Sequence, residues 1–274
     1  MAVVRAKKNL GQHFLTDINI ARRIVESLSS DYPNVLEIGP GMGVLTQFLF
    51  QSDHFKTIAI DIDSESVEYL KNKFPEFSSQ IIHGDFLNID PAKLFQEGKI
   101  GLIGNFPYNI STQILFRVLA FKNLIPEVVG MFQKEVAQRI AAPPGSKVYG
   151  ITSVLLQAYY NIEYLFTVDE HVFNPPPKVK SAVIRLTRNN IEKLDCDEDL
   201  FVRIVKTTFN QRRKMIRNSI KPIIQDDGLP HPYLEKRPEQ LSLSEFVELT
   251  NSFSNSQKHS GPCSLNYQKN TSIG

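Results

Sequence analysis

Asn105-Phe106-Pro107-Tyr108 is a set of residue types suited to transfer onto a planar amine of a nucleobase. The side-chain oxygen of Asn105 can accept one hydrogen bond from an exocyclic amino group, and an unpaired backbone carbonyl can accept the other. Pro107 fixes its own φ, contributes no N–H and pushes Phe106 away from helical geometry, which leaves the Phe106 carbonyl free to turn toward a ligand. Tyr108 offers a flat face for the base. The same four residues would also make an ordinary strand-to-helix turn, so their weight comes from what surrounds them.

What must position them is a strand. The apolar run Ile100-Gly-Leu-Ile-Gly104 places Asn105 just past a buried strand end, and in open α/β sheets ligands bind in the crevice outside the carboxyl ends of strands. Three more strand ends carry matching signals. Val35–Ile38 is followed by Gly39-Pro-Gly-Met-Gly43, where glycines let the backbone approach a ligand and leave helix N–H groups to meet it. Thr57–Ile60 ends in Asp61, about twenty residues on, where a carboxylate can accept from both hydroxyls of a ribose. Ile81–His83 leads to Asp85 and Phe86, candidates for the amino group and the ring of an adenine. A doubly wound nucleoside-binding sheet is the expected fold.

A dinucleotide dehydrogenase is the first rival. Its fingerprint needs Gly-x-Gly-x-x-Gly, but Val44 stands where the third glycine belongs. Glu37, near the end of the first strand, is awkward for a pyrophosphate and tolerable beside a cationic ligand. A sulfonium cofactor, S-adenosylmethionine, fits better.

The rest of the chain sets the context. With 274 residues, 42% hydrophobic and 22% charged, it can form one large domain and a small one with an ample core. No apolar run is long enough to span a bilayer, so no membrane partner is expected. The N-terminus has Arg5, Lys7 and Lys8 but no apolar signal core. Two distant cysteines, Cys196 and Cys263, argue against a disulfide framework or a zinc site and for a reducing cytoplasm. His13 has no second ligand at metal spacing, so no metal is expected. Asp17 is the expected N-cap of an amphipathic helix through Ile20, Ile24 and Leu28. Net charge is only +2, but seven cations lie between Arg203 and Lys221 with no acid among them, Arg212, Arg213, Lys214 and Arg217 included. Such a run lacks the i,i+4 partners of a plain solvated helix and points to a polyanion.

Gln12-His-Phe-Leu15, Glu37-Ile-Gly-Pro-Gly-Met-Gly43, His83-Gly-Asp85 and Asn105-Phe-Pro-Tyr108 together resemble the ribosomal RNA adenine dimethyltransferase family. Gln133-Lys-Glu-Val-Ala-Gln-Arg139, Phe173-Asn-Pro-Pro-Pro-Lys-Val-Lys-Ser181 and Phe209-Asn-Gln-Arg-Arg-Lys214 extend the likeness to about Leu249, and the last favours the small-subunit (KsgA) type. The resemblance implies a Rossmann-like S-adenosylmethionine-dependent methyltransferase sheet with a small C-terminal helical domain. It implies that His13, Leu15, Gly39, Gly41, Asp61, Asp85, Phe86 and Asn105 hold the cofactor, and that Asn105, Phe106, Pro107 and Tyr108 position the target adenine with Phe173 on its other face. Asp61 stands where the family more often has Glu, and His13 where it often has Asn. The implied reaction is dimethylation of N6 on two adjacent adenosines in a hairpin loop near the 3′ end of small-subunit rRNA, by a monomer acting on an assembling small subunit. A methyltransferase-fold assembly factor, or an enzyme of large-subunit rRNA, is the alternative.

The expected organisation is a methyltransferase domain over 1–189, a helical rRNA-binding domain over 190–253 and a disordered polar tail over 254–274. Ser181-Ala-Val-Ile-Arg-Leu186 alternates like a closing strand of the sheet.

Overall fold

The structure is a computed structural model that describes residues 4–29, 31–223 and 231–257. Its elements run β1 (Phe14–Leu15), α1 (Ile18–Glu26), β2 (Asn34–Ile38), α2 (Thr46–Leu49), β3 (Lys56–Asp61), α3 (Ser64–Lys73), β4 (Ile81–His83), β5 (Ile100–Asn105) and α4 (Ser111–Ala120). They continue with β6 (Glu127–Gln133), α5 (Lys134–Ile140), α6 (Ile151–Gln157), β7 (Tyr160–Val168), β8 (Phe173–Asn174) and β9 (Ser181–Arg188). The chain then becomes helical, with α7 (Glu198–Asn210), α8 (Ile216–Ser219) and α9 (Leu243–Gln257).

The main sheet has the order β4-β3-β2-β5-β6-β9-β7. The first five strands are mutually parallel, and β9 runs antiparallel to both β6 and β7. Every residue of β2 is buried, as are all but the last residues of β5 and β6. That is why these strands read as continuous apolar runs: helices cover both faces of a parallel sheet. One core joins Ile24 of α1 and Leu49 of α2 to Ile103, Val129 and Val183 on the sheet. Each is fully buried, worth about 1.5–3 kcal/mol against exposure. Asp17 caps α1 by accepting from the N–H groups of Asn19 and Ile20, which contributes about 1 kcal/mol.

Two compact units divide the chain, residues 1–192 and residues from Lys193 on. In the second, Asp197 caps α7 through Leu200 N, and the buried face of α7 carries Leu200, Phe201, Ile204, Val205 and Phe209. Phe209 meets Phe246 of α9 with ring centroids 6.0 Å apart. Helix begins at Glu198 rather than near Asn190, because β9 continues to Arg188 and an irregular segment follows. At the other end α9 runs on to Gln257, past the Ser254 where apolar periodicity fades. The remainder of the expected tail lies outside the described residues.

Candidate active site

β2 and β5 are neighbours, and the order of the sheet reverses between them. Ligands of doubly wound folds bind at such a switch point. The loop after β2 turns on Gly39, Gly41 and Gly43, all with positive φ. A Cβ on Gly41 would lie 2.8 Å from the Phe14 ring, so the loop passes close beneath the N-terminal segment only because it is bare there. Gly39, Gly41, Asp61, Ile62, Asp85 and Leu87 line a cavity whose other wall is Asn105–Ile110, with residues 10–14 across its mouth.

Asn105 ends β5 with its side chain fixed. Its Nδ2 donates to the His13 carbonyl at 2.8 Å, which assigns that nitrogen and leaves Oδ1 as the acceptor. The Phe106 N–H donates to Met131 O at 3.2 Å, whereas no described donor bonds the Phe106 carbonyl. The Phe106 ring is 1% exposed and lies edge-on to Phe132 at 5.1 Å. Gly104 and Gly130 are paired across β5 and β6, and a Cβ on either would fall within 3.0 Å of that ring. The glycine pair makes the slot, and the slot fixes the backbone that follows Asn105. Gly130→Ala should therefore cost about 1–3 kcal/mol through overpacking, with turnover falling further than unfolding alone accounts for. Chemical denaturation beside initial rates would check this; an unchanged midpoint would remove the slot from the explanation.

Tyr108 donates to or accepts from Ser181 Oγ at 2.6 Å, and the His13 ring stacks on it at 5.3 Å with 28° between planes. His13 Nδ1 lies 2.7 Å from the Pro175 carbonyl, a bond that places the proton on Nδ1. One residue thus ties together the N-terminal segment, the end of β5 and the turn after β8. Beyond Tyr108 and His13 opens a second cavity, with Lys8, Gln12, Gln133, Pro175 and Lys178 in its walls.

Four sequence expectations need correction. Phe173 is 3% exposed: β8 pairs with β1, Phe173 opposite Leu15, and both side chains enter the core with Ile24 and Val172. Neither lines either cavity, so Phe173 cannot face a base on Tyr108 in this arrangement, and Leu15 can offer a ligand only backbone. Phe86 is likewise buried at 3%, and the apolar wall is supplied by Leu87 and by Ile62, which is 50% exposed. Glu37 is fully buried; its Oε2 accepts from Thr46 Oγ1 at 2.7 Å and its Oε1 has no partner. Burial pushes its carboxyl up to about 8, so at neutral pH it is mainly protonated.

The remaining site residues converge. Asp61 accepts from Gly41 N at 3.2 Å and Asp63 N at 2.9 Å, with lone pairs to spare; burial raises its pKa. Asp85 caps its own turn through Leu87 N and holds Asn88 Nδ2 while lining the cavity. Sequence reasoning passed over Phe14 and Ile62, and also the clamp in which Lys7 Nζ (2.6 Å) and Gln12 Nε2 (3.2 Å) bind Asp63, holding the N-terminal segment to the end of β3. No residue type at those positions signals the contact before the fold brings them together.

The basic run is not free of acids. Arg212 lies 3.7 Å from Glu239 and Arg217 2.6 Å from Glu235, partners too distant in sequence for a helical count to find. Arg213 and Lys214 are exposed in the turn after α7 and form no ion pair among the described residues. No described group of three or more His, Cys, Asp or Glu could hold a metal, and no described helix is long and apolar enough to cross a membrane.

The residues fit S-adenosylmethionine: a glycine cradle that a Cβ would fill, a carboxylate with spare lone pairs at the end of β3, and an exposed isoleucine beside it. A seven-stranded sheet of this order, with that cleft at its switch point, defines a Rossmann-like S-adenosylmethionine-dependent methyltransferase. The family follows from comparison with known proteins: the chain belongs to the ribosomal RNA adenine dimethylase family, whose model matches residues 3–250. It is 59% identical over 257 residues to ribosomal RNA small subunit methyltransferase A of Cytophaga hutchinsonii, covering 93% of this chain and 99% of that one. The corresponding protein of Parabacteroides distasonis is 58% identical over 254 residues, 91% and 94% of the two chains. Among solved structures, a dimethyladenosine transferase from Plasmodium falciparum superimposes with a TM-score of 0.75 at 24% identity, over 89% of this chain and 98% of that one. The 23S rRNA methyltransferase ErmE does so with 0.63 at 26%, over 86% and 99%.

Proposed function

We propose that this enzyme transfers methyl groups to N6 of two adjacent adenosines in a hairpin loop near the 3′ end of small-subunit rRNA, two to each nitrogen, within an assembling small subunit. The observation that carries the proposal is the acceptor pair at the end of β5: Asn105 Oδ1, freed by the bond from Nδ2 to His13, and the Phe106 carbonyl, which accepts from no donor among the described residues. Small-subunit rather than large-subunit RNA is favoured because the relatives at 58–59% identity bear the small-subunit name, against 26% for ErmE.

S-adenosylmethionine supplies the methyl on a positively charged sulfur. Gly39 and Gly41 would take it against bare backbone, Asp61 would accept from the ribose hydroxyls, and Asp85, Ile62 and Leu87 would enclose the adenine. His13 and the Leu15 backbone would close the N-terminal side. On the substrate side, adenine N6 is a poor nucleophile while its lone pair is delocalised into the ring. Acceptors at Asn105 Oδ1 and Phe106 O hold its hydrogens out of that conjugation and stabilise positive charge as it develops. No strong base is needed beforehand, since the proton becomes acidic once the methyl has arrived. The target base must leave its stack to reach the crevice, and Tyr108 offsets part of the lost stacking, roughly 1–3 kcal/mol per base. Pro107, with no N–H and a fixed φ, brings no competing donor to that carbonyl. We take it that the enzyme acts as a monomer on small subunits assembling in the cytoplasm.

Labelled methyl transfer to undermethylated small ribosomal subunits, with nucleosides separated by chromatography and mass, tests this. Dimethyladenosine at neighbouring adenines is the expected product; intact cofactor binding with no transfer would favour an assembly factor. Of Arg212, Arg213, Lys214 and Arg217, the two without acidic partners among the described residues, Arg213 and Lys214, should contribute most to RNA affinity. Arg213→Glu with Lys214→Glu should weaken binding and lower its log–log salt slope by about 1–2. An unchanged slope would leave that turn a merely structural one.

A further inference from the structure

A third cavity lies at the opposite ends of the central strands. Lys99 precedes β5, Lys122 and Asn123 follow α4, and Arg188, Asn190 and Glu192 end and follow β9; all six line it. Since Arg188 N bonds Pro126 O just ahead of β6, the cleft gathers the near ends of three neighbouring strands. Asn105 and the acceptor pair stand at the far end of β5, six residues away, or about 20 Å. The cleft is thus separate from the active site.

Its charges are held in place without being neutralised. Arg188 donates to the carbonyls of Tyr159 and Ile191, and Lys99 donates to the carbonyl of Asn123. The Lys122 ammonium sits 4.6 Å over the Tyr159 ring, and the Arg188 guanidinium 5.7 Å from the same ring. Carbonyls and rings fix a cation but carry no countercharge. Among the described residues none of the three forms an ion pair, although ion pairs form elsewhere. Three cations and one exposed carboxylate, Glu192, face one cleft. Lys99, Asn123 and Asn190 are exposed at its rim, so donors stand ready at the mouth. Preorganised donors lose little freedom when an anion arrives, and a planar guanidinium beside two ammoniums suits the oxygens of a phosphate.

We propose that the cleft formed by Lys99, Lys122 and Arg188 binds backbone phosphate of the substrate RNA, a second anchoring point at the strand ends opposite the acceptor pair. This rests on ribosomal RNA being the substrate. A contact so far from the reacting nitrogen supplies affinity for a large, folded RNA and leaves the chemical step untouched, because phosphate contacts position without reading sequence. Each neutralised phosphate contributes about 0.7–0.9 to the slope of log affinity against log salt.

The test is the Lys99→Gln, Lys122→Gln double variant, which keeps Arg188 and its bonds to Tyr159 and Ile191. Binding to undermethylated small ribosomal subunits is measured by filter retention across a salt series, beside single-turnover transfer at saturating subunits. The expected result is affinity several-fold weaker, a slope lower by about 1–2, and unchanged saturated transfer, melting and cofactor binding. Unchanged affinity and slope would overturn the proposal, as would a loss confined to saturated transfer. Binding is read without any methyl transfer, so an inactive wild type would defeat the function proposed above while leaving this measurement intact. Titration with inorganic phosphate separates the remaining source: if lysine side-chain resonances of the wild type saturate with phosphate while RNA binding ignores the substitutions, the cleft holds a small free anion and the RNA contact is refuted.

Discussion

Asn105→Ala should lower kcat for methyl transfer about 10²–10³-fold while changing RNA affinity little. The magnitude is that of removing one preorganised hydrogen-bond partner from a developing charge. Asn105 Oδ1 is oriented because Nδ2 is committed to the His13 carbonyl at 2.8 Å, and that carbonyl belongs to a segment pinned by Lys7 and Gln12 to Asp63. Alanine removes the acceptor and releases the His13 carbonyl at once, so cofactor affinity should also drop, by a smaller factor. Asn105→Asp separates the two effects. It restores an acceptor but sets a carboxylate against the His13 carbonyl, so it should recover part of kcat and none of the lost cofactor affinity. Single-turnover rates at saturating cofactor and RNA measure the chemical step directly. A rate within threefold of wild type for the alanine variant would remove Asn105 from the acceptor pair.

The parts of this site that could be read in advance are those local in sequence. Gly39-Pro-Gly-Met-Gly43, Asp61, Asp85 and Asn105 each close a strand, and strand ends on a parallel sheet must share one crevice, so their meeting follows from periodicity alone. What escaped depends on which way a side chain faces. Phe173 and Leu15 oppose each other on a two-residue ladder, too short for alternation to assign inside and outside, and both side chains enter the core. Ile62 and Phe86 each follow a carboxylate-bearing strand end, yet one is 50% exposed at the cavity and the other 3%. The glutamates that meet Arg212 and Arg217 stand 27 and 18 residues away in sequence, beyond any local count of charges.

Glu37 supplies the largest expected effect of pH on stability. Its carboxyl is fully buried on β2, with Thr46 donating to Oε2 and nothing reaching Oε1, and burial, with Asp61 nearby as a lesser cause, raises it from an ordinary value near 4.5 to about 8. Between those two values the folded chain holds a proton here that the unfolded chain has released. Unfolding stability therefore falls with rising pH, by about 1.4 kcal/mol per pH unit from this group. The contribution is fully present below pH ~4.5 and is lost on passing through pH ~8, several kcal/mol in all. Glu37→Gln keeps the shape and the acceptor for Thr46 but cannot ionise. In urea titrations it should lie within about 1 kcal/mol of wild type at pH 5 and become the more stable of the two by pH 9. Parallel curves for the two proteins from pH 5 to 9 would contradict the buried, protonated carboxyl. The same variant decides what the acid does for the cofactor. A protonated Glu37 predicts nearly unchanged S-adenosylmethionine affinity at pH 7, whereas an ionised one acting on the sulfonium predicts a marked loss, so one substitution separates a carboxyl that serves the fold from one that serves the ligand.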